Sequence, residues 1–132
     1  MNLYDDMSLY KSYEAYESAK INGHSEERRE AACETAYYAY YYAYDIDKCA
    51  RDDTRKAACK ESRWAYYYAR DIDKGPREDT REVACKDPED AYWYAEDVDK
   101  CFHKDTWAVV KDTKYEKKYK TFLNNQIKKE II

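Results

Sequence analysis

Leucine is nearly missing from this 132-residue chain, which has only Leu3, Leu9 and Leu123. Helical proteins ordinarily fill their cores with leucine, so any core here has to be built from Ala, Tyr, Ile, Val and Cys. Glycine occurs twice, which excludes a glycine-rich phosphate loop, and neither HExxH nor GxSxG is present. The two histidines, His24 and His103, stand beside no plausible nucleophile and read as loop residues. No run approaches the roughly 18 apolar residues of a membrane span. The first residues, MNLYDDMSLYKSYEAY, have neither the basic start nor the apolar stretch of a secretory signal, so a cytoplasmic location is expected. The net charge is −4. Residues 112–132 hold six Lys against three acidic residues, which leaves the body at −7 and the tail at +3. Duplex DNA is bound by neutralising phosphates, so an acidic body argues against it.

Tyrosine is abundant instead, with 17 copies. Much of it falls in one motif: AYYYAYDIDK (39–48), AYYYARDIDK (65–74) and AYWYAEDVDK (91–100), each 26 residues after the last. A second block keeps the same step. EERREAAC ends at Cys33, DDTRKAAC at Cys59, EDTREVAC at Cys85, and a decayed KDTWAVVK ends at Lys111. A fixed period over most of a chain marks a repeat architecture. Disordered chains are poor in aromatics, so this one is expected to fold.

Ala65, Tyr68, Ala69 and Ile72 fall at i, i+3, i+4 and i+7, one face of an α-helix, and the other two copies repeat the stripe. Asp87-Pro88 reads as a helix cap followed by a first-turn proline. Lys74-Gly75-Pro76 reads as a stop, with the glycine expected to take the left-handed position. This register predicts long helices near 36–48, 62–74 and 88–100, and short ones near 53–60, 79–86 and 105–111. Asp79-Thr-Arg-Glu82 reads as a capping box for the middle short helix. Asp6–Lys20 and Ser25–Thr35 form the front. A last helix opens at Thr113 and carries a stripe of Tyr115, Tyr119, Phe122, Leu123, Ile127 and Ile131. The expected fold is all-α, a short solenoid-like helical-repeat array of two-helix units with a 26-residue period. It forms a single domain over 1–132: an N-terminal capping unit (1–35), repeats at 36–61, 62–87 and 88–112, and a basic C-terminal capping helix (113–132).

The AYYYARDI and AYWYAEDV units, joined by Lys-Asp-Pro-Glu-Asp, resemble the tyrosine-rich AYxYAxxV repeats of bacteriophage and mobile-element proteins. The resemblance covers residues 36–111 and is carried by Ala65, Tyr66, Tyr68, Ala69 and Ile72 with their counterparts. The chain differs from many such repeats in lacking a tryptophan-proline connector. It implies a phage or mobile-element origin, while most members of that group have no assigned activity.

Chemistry is sparse. Cys33, Cys59 and Cys85 share one repeat position, and Cys49 and Cys101 share another where the middle copy has Gly75. Equivalent sites in stacked helices lie roughly 10 Å apart, too far for one zinc or a disulfide. They read as small core thiols, and the Cys/Gly alternation as a need for smallness. The recurring pairs Asp45/Asp47, Asp71/Asp73 and Asp97/Asp99 point to different sides of a helix and do not converge on one proton or metal. No enzyme, metal or cofactor is therefore expected. Stacked, these carboxylates are expected to line an acidic ribbon flanked by Tyr40/Tyr41, Tyr66/Tyr67 and Tyr92/Trp93, a surface for a basic protein groove. The expected function is non-enzymatic protein binding. Its most specific form is a phage inhibitor of a bacterial, CRISPR-Cas-like defence complex, occluding a nucleic-acid groove as anti-CRISPR proteins do. An immunity-type or housekeeping interaction module is the alternative, and a nucleic-acid binder using the Lys-rich last helix is another.

Overall fold

The computed structural model describes residues 3–131, and side chains over residues 7–130. Among the described residues the chain is all-helical: α1 (Leu3–Asn22), α2 (Glu26–Ala32), α3 (Ala36–Tyr41), α4 (Asp52–Ala58), α5 (Ser62–Tyr68), α6 (Glu78–Ala84), α7 (Pro88–Tyr94), α8 (Lys104–Val110) and α9 (Glu116–Ile131). Helices α3, α5 and α7 run on without a break into wider π-helical tails, Tyr42–Asp47, Ala69–Asp73 and Ala95–Asp99. With these tails the observed spans follow the predicted register closely. None of the helices is long and apolar enough to cross a membrane.

Each π tail stops in the same way. Lys48, Lys74 and Lys100 take the left-handed conformation (φ 55°, 57° and 57°) and donate their N–H groups back to Ala43, Ala69 and Ala95. The expected glycine stop is therefore corrected: Lys74 takes the left-handed position, one residue before Gly75. The expected need for smallness at this site also fails. A Cβ on Gly75 would meet nothing within 4 Å, and Cys49 and Cys101 are exposed.

The long and short helices pair as hairpins, α1 with α2, α3 with α4, α5 with α6 and α7 with α8, and α9 closes the series. Long helices also pack on their neighbours in order, α1 on α3, α3 on α5 and α5 on α7. Among the described residues the substantial packing joins helices of the same or of adjacent units. Its core is segmented accordingly. Ala19 and Ala32 share a small core with Tyr42, Ala43 and Ala58 with Tyr68, and Ala69 and Ala84 with Tyr94. Ala95 and Val110 share the last with Tyr119 and Phe122. Alanine lets the two helices of a hairpin approach closely, and a tyrosine from the next helix fills the remaining space. Stability in such an array comes from each unit and its junction with the next.

The terminal helices keep some of the repeat's inward residues. Tyr16 of α1 stands where Tyr40 and Tyr66 stand in the repeats, as its bond to Asp45 shows. Tyr119 of α9 stands where Tyr94 stands. The predicted stripe of α9 is buried at Tyr119 and Phe122 and partly buried at Tyr115 and Leu123. Ile127 is exposed, which shortens the stripe, and the Ile131 side chain lies outside the described residues.

Candidate interaction surface

Three polar bonds recur at the junctions between hairpins, the first of them also at α9, and they account for most of the recurring residues. First, a fully buried tyrosine hydroxyl closes the start of the preceding short helix. Tyr68 Oη sits 2.7 Å from Thr54 Oγ1, accepts from the Arg51 N–H (3.0 Å) and reaches the Arg51 carbonyl (3.1 Å). Tyr94 repeats this on Thr80 and Arg77 at 2.7, 3.0 and 3.1 Å, and Tyr119 on Thr106 and His103. Helices α4 and α6 have no side-chain cap of their own. The capping box expected at Asp79 is thereby corrected: α6 begins at Glu78, and its cap residue Arg77 is served by a hydroxyl from another helix. At the front, His24 and Ser25 take over, with His24 Nδ1 2.9 Å from Tyr42 Oη.

Second, a buried arginine of each short helix grips the last aspartate of the next π tail: Arg29 with Asp47 (2.7 Å), Arg55 with Asp73 (2.6 Å) and Arg81 with Asp99 (2.5 Å). The guanidinium lies over the buried ring of Tyr42, Tyr68 or Tyr94, 5.6–6.0 Å from the centroid. Third, a tyrosine of one long helix donates to the first aspartate of the next π tail: Tyr16 to Asp45, Tyr40 to Asp71 (2.6 Å) and Tyr66 to Asp97. Burial, and then the carboxylate, pushes the Tyr16, Tyr40 and Tyr66 phenols well above the ordinary tyrosine range. Burial alone would raise Asp71, but hydrogen bonds from Arg70 and Tyr40 outweigh it and hold the carboxyl below its usual value.

The predicted ribbon residues thus divide sharply. Asp47, Asp73 and Asp99 have side chains only 4, 6 and 2% exposed and are bound to arginine. Asp45, Asp71 and Asp97 are taken by tyrosines. Tyr40, Tyr66 and Tyr92 are buried in the core. Of the twelve expected binding residues, Tyr41, Tyr67 and Trp93 remain as half-buried side chains on one outer face. The structure adds residues that the recurring motif did not single out. At the positions on or just beneath this face where the copies differ stand Tyr37, Arg63 and Glu89, then Tyr38, Trp64 and the buried Asp90, and then Tyr44, Arg70 and Glu96.

Tyr37 and Trp64, at differing positions, join Tyr41, Tyr67 and Trp93 in a ridge of rings. Tyr37 lies 4.8 Å from Tyr41 and 5.0 Å from Trp64, and Trp64 lies 5.2 Å from Tyr67. Arg70 lies 4.8 Å from the Tyr67 centroid. Tyr37 and Tyr44 are 41 and 52% exposed. Between Tyr67 and Trp93 the ridge dips into a cleft of about 220 Å³ flanked by Arg63 and Arg70. Arg63 is held by Asp90 and by Glu89 (2.9 Å), and Arg70 by Asp71 (2.7 Å). The arginines are therefore positioned in advance of any partner. A second, larger groove of about 500 Å³ follows between α7 and α9, with Trp93 and Phe122 against Lys114, Lys117 and Lys118.

Cysteine and histidine have local roles. Burial pushes the Cys33, Cys59 and Cys85 thiols up to about 11, while Cys49 and Cys101 are exposed. His103 Nδ1 accepts from the Asp105 N–H at the start of α8. Among the described residues no group of three or more His, Cys, Asp or Glu comes together in a way that would hold a metal ion. Comparison with protein-family models, with curated proteins and with solved structures gives no match to this chain.

Proposed function

We propose that this chain is a protein-binding scaffold that recognises its partner through the aromatic ridge Tyr37–Tyr41–Trp64–Tyr67–Trp93. The observation that supports it is the division of labour between residues. The recurring aspartates of the π tails are turned inward and held by arginine or tyrosine. Tyr41, Tyr67 and Trp93 lie instead on one outer face, where Tyr37, Trp64, Arg63 and Arg70, at positions that differ between units, add large rings and pre-positioned arginines. Tyrosine, tryptophan and arginine are the residues that most often anchor protein interfaces. Rings already packed against one another lose little freedom when a partner covers them.

The resemblance to phage and mobile-element repeats makes an inhibitor of a bacterial defence complex, acting in the host cytoplasm, the most specific partner class for this reading. The mode is then an aromatic wedge. Acidic mimicry of nucleic acid is not part of the proposal, because the six aspartates it needs are occupied internally. Affinity capture with the wild-type chain and with Tyr67→Ala and Trp93→Ala variants tests the ridge. A partner held by the wild type and lost by both variants supports it. Undiminished capture by both rejects it.

A further inference from the structure

The outer face changes character at its C-terminal end. Stepping along one row, Tyr41, Tyr67 and Trp93 are followed by Lys118. Beside it, the buried row of Tyr40, Tyr66 and Tyr92 is followed by the exposed Lys117. Lys114 follows Tyr37, Arg63 and Glu89. The last helix thus presents cations where the repeats present rings, and the groove of about 500 Å³ lies at this boundary.

We infer that this groove binds an acidic peptide segment of the protein partner, seating an apolar side chain on Trp93 and Phe122 and its carboxylates on Lys114, Lys117 and Lys118. The inference rests on the protein-binding reading and gives the chemistry of what is bound. Two independent features support it. Among the described residues none of the three lysines has a carboxylate within ion-pair range, in contrast to Arg63 and Arg70. Lys118 lies 6.0 Å from the Trp93 centroid and Lys114 5.3 Å from that of Tyr115. Their charges are therefore held near the groove by the rings. The second feature is an under-satisfied acceptor: Glu96, whose carboxylate helps raise the Tyr92 phenol, lines the same groove, and its Oε2 is buried without a well-formed hydrogen bond. Burying an unpaired carboxylate oxygen is costly, and a peptide backbone supplies the missing N–H donor while its acidic side chains meet the lysines.

A single-stranded nucleic acid matches the lysines and the stacking ring but fits the surroundings less well. It needs a cationic track longer than one groove. The neighbouring rows carry Glu89, Asp90 and Asp97, and the arginines there are already paired. A short acidic segment needs only the three lysines.

The test is calorimetric titration of the full chain with a blocked peptide of alternating Glu and Leu, its Lys–Leu counterpart, and oligothymidylate. The Glu–Leu peptide is expected to bind and the Lys–Leu peptide to give no heat. The exposed double change Lys117→Glu/Lys118→Glu should weaken binding by at least about tenfold, while Lys56→Glu, an exposed charge reversal on α4 outside both the ridge and the groove, leaves it unchanged. No binding of the Glu–Leu peptide, or equal affinity after charge reversal, overturns the inference. Tighter binding of oligothymidylate overturns the choice of occupant. Capture of the native partner separates the two readings. If Lys117→Glu/Lys118→Glu leaves capture intact and Tyr67→Ala abolishes it, the groove inference falls and the ridge reading stands. If Tyr67→Ala and Trp64→Ala leave capture intact while the reversal abolishes it, the ridge reading falls and the groove inference stands.

Discussion

Arg55 of α4 and Asp73 of the following π tail, 18 residues apart, meet through a two-pronged ion pair. Arg55 Nη2 lies 2.6 Å from Asp73 Oδ1, and Nε lies 3.1 and 3.0 Å from the two carboxylate oxygens. Both side chains are more than nine-tenths buried. The same pair occurs one unit earlier as Arg29–Asp47 and one unit later as Arg81–Asp99. In the next step Trp107 and Asn124 occupy the two positions, so the rung is absent where the array ends.

A buried pair of this kind is costly to break from one side, because the remaining charge is stranded. Arg55→Met should lower unfolding stability by about 3–5 kcal/mol. The double change Arg55→Met/Asp73→Leu should cost far less than the two single changes together. Urea unfolding of the four proteins in a double-mutant cycle measures this, and additive single effects would show that the pair is not coupled.

The buried hydroxyls predict a second contrast. Tyr68→Phe leaves the Thr54 hydroxyl and the Arg51 N–H without their shared partner and should cost about 1–3 kcal/mol. Tyr44→Phe, on a half-exposed ring, should stay within about 0.5 kcal/mol of wild type. Chemical denaturation of both variants checks the difference.

Much of this architecture was legible in the sequence because a repeated motif is self-aligning. The 26-residue step fixed the helix register, and the Asp87-Pro88 cap sits as expected, with the Asp87 carboxylate accepting from the Glu89 and Asp90 N–H groups (2.9 and 3.2 Å). The π tails escaped notice, since Asp45 and Asp47 read as ordinary helix positions and nothing local shows that the helix widens after Tyr41. The Tyr68–Thr54 bond also escaped, because it joins residues that local helix rules never pair. The site suffered most. Recurrence drew attention to Asp71, Asp73 and Tyr66, yet a residue recurs in every unit because each junction requires the same bond. The proposed surface joins Tyr41, Tyr67 and Trp93 to positions where the copies differ, such as Tyr37, Arg63 and Glu89. That signal was present in the sequence, in the variable columns of the repeat.

Titration at high pH should destabilise the chain. The Cys33, Cys59 and Cys85 thiols are raised to about 11 in the fold from an ordinary value of 9.0. The buried phenols Tyr40 and Tyr66 are raised from 10.0. The unfolded chain therefore releases these protons first, so stability is steady below about pH 9 and falls as pH rises beyond it. Thermal melts from neutral to alkaline pH, with tyrosinate absorbance followed in parallel, should show unfolding and ionisation of the buried phenols in one step. Gradual ionisation of all tyrosines with the fold intact would contradict the buried network.

Thiol labelling gives an independent check on burial. Cys49 and Cys101 are exposed, and the other three are partly buried with raised thiols. Brief maleimide treatment at neutral pH should add two labels to the native chain and five after unfolding, as read by intact mass.

The central claim is that the inward-turned recurring residues hold the array and the rings of the outer face recognise the partner. The most direct test measures the urea midpoint and partner capture on the same preparations of Asp71→Asn/Asp73→Asn and Tyr67→Ala. The expected result is a lowered midpoint with capture by the remaining folded protein preserved in the first, and a binding loss of about 2 kcal/mol or more in the second. Loss of capture by Asp71→Asn/Asp73→Asn at an unchanged midpoint, with Tyr67→Ala still binding as wild type, would contradict the account.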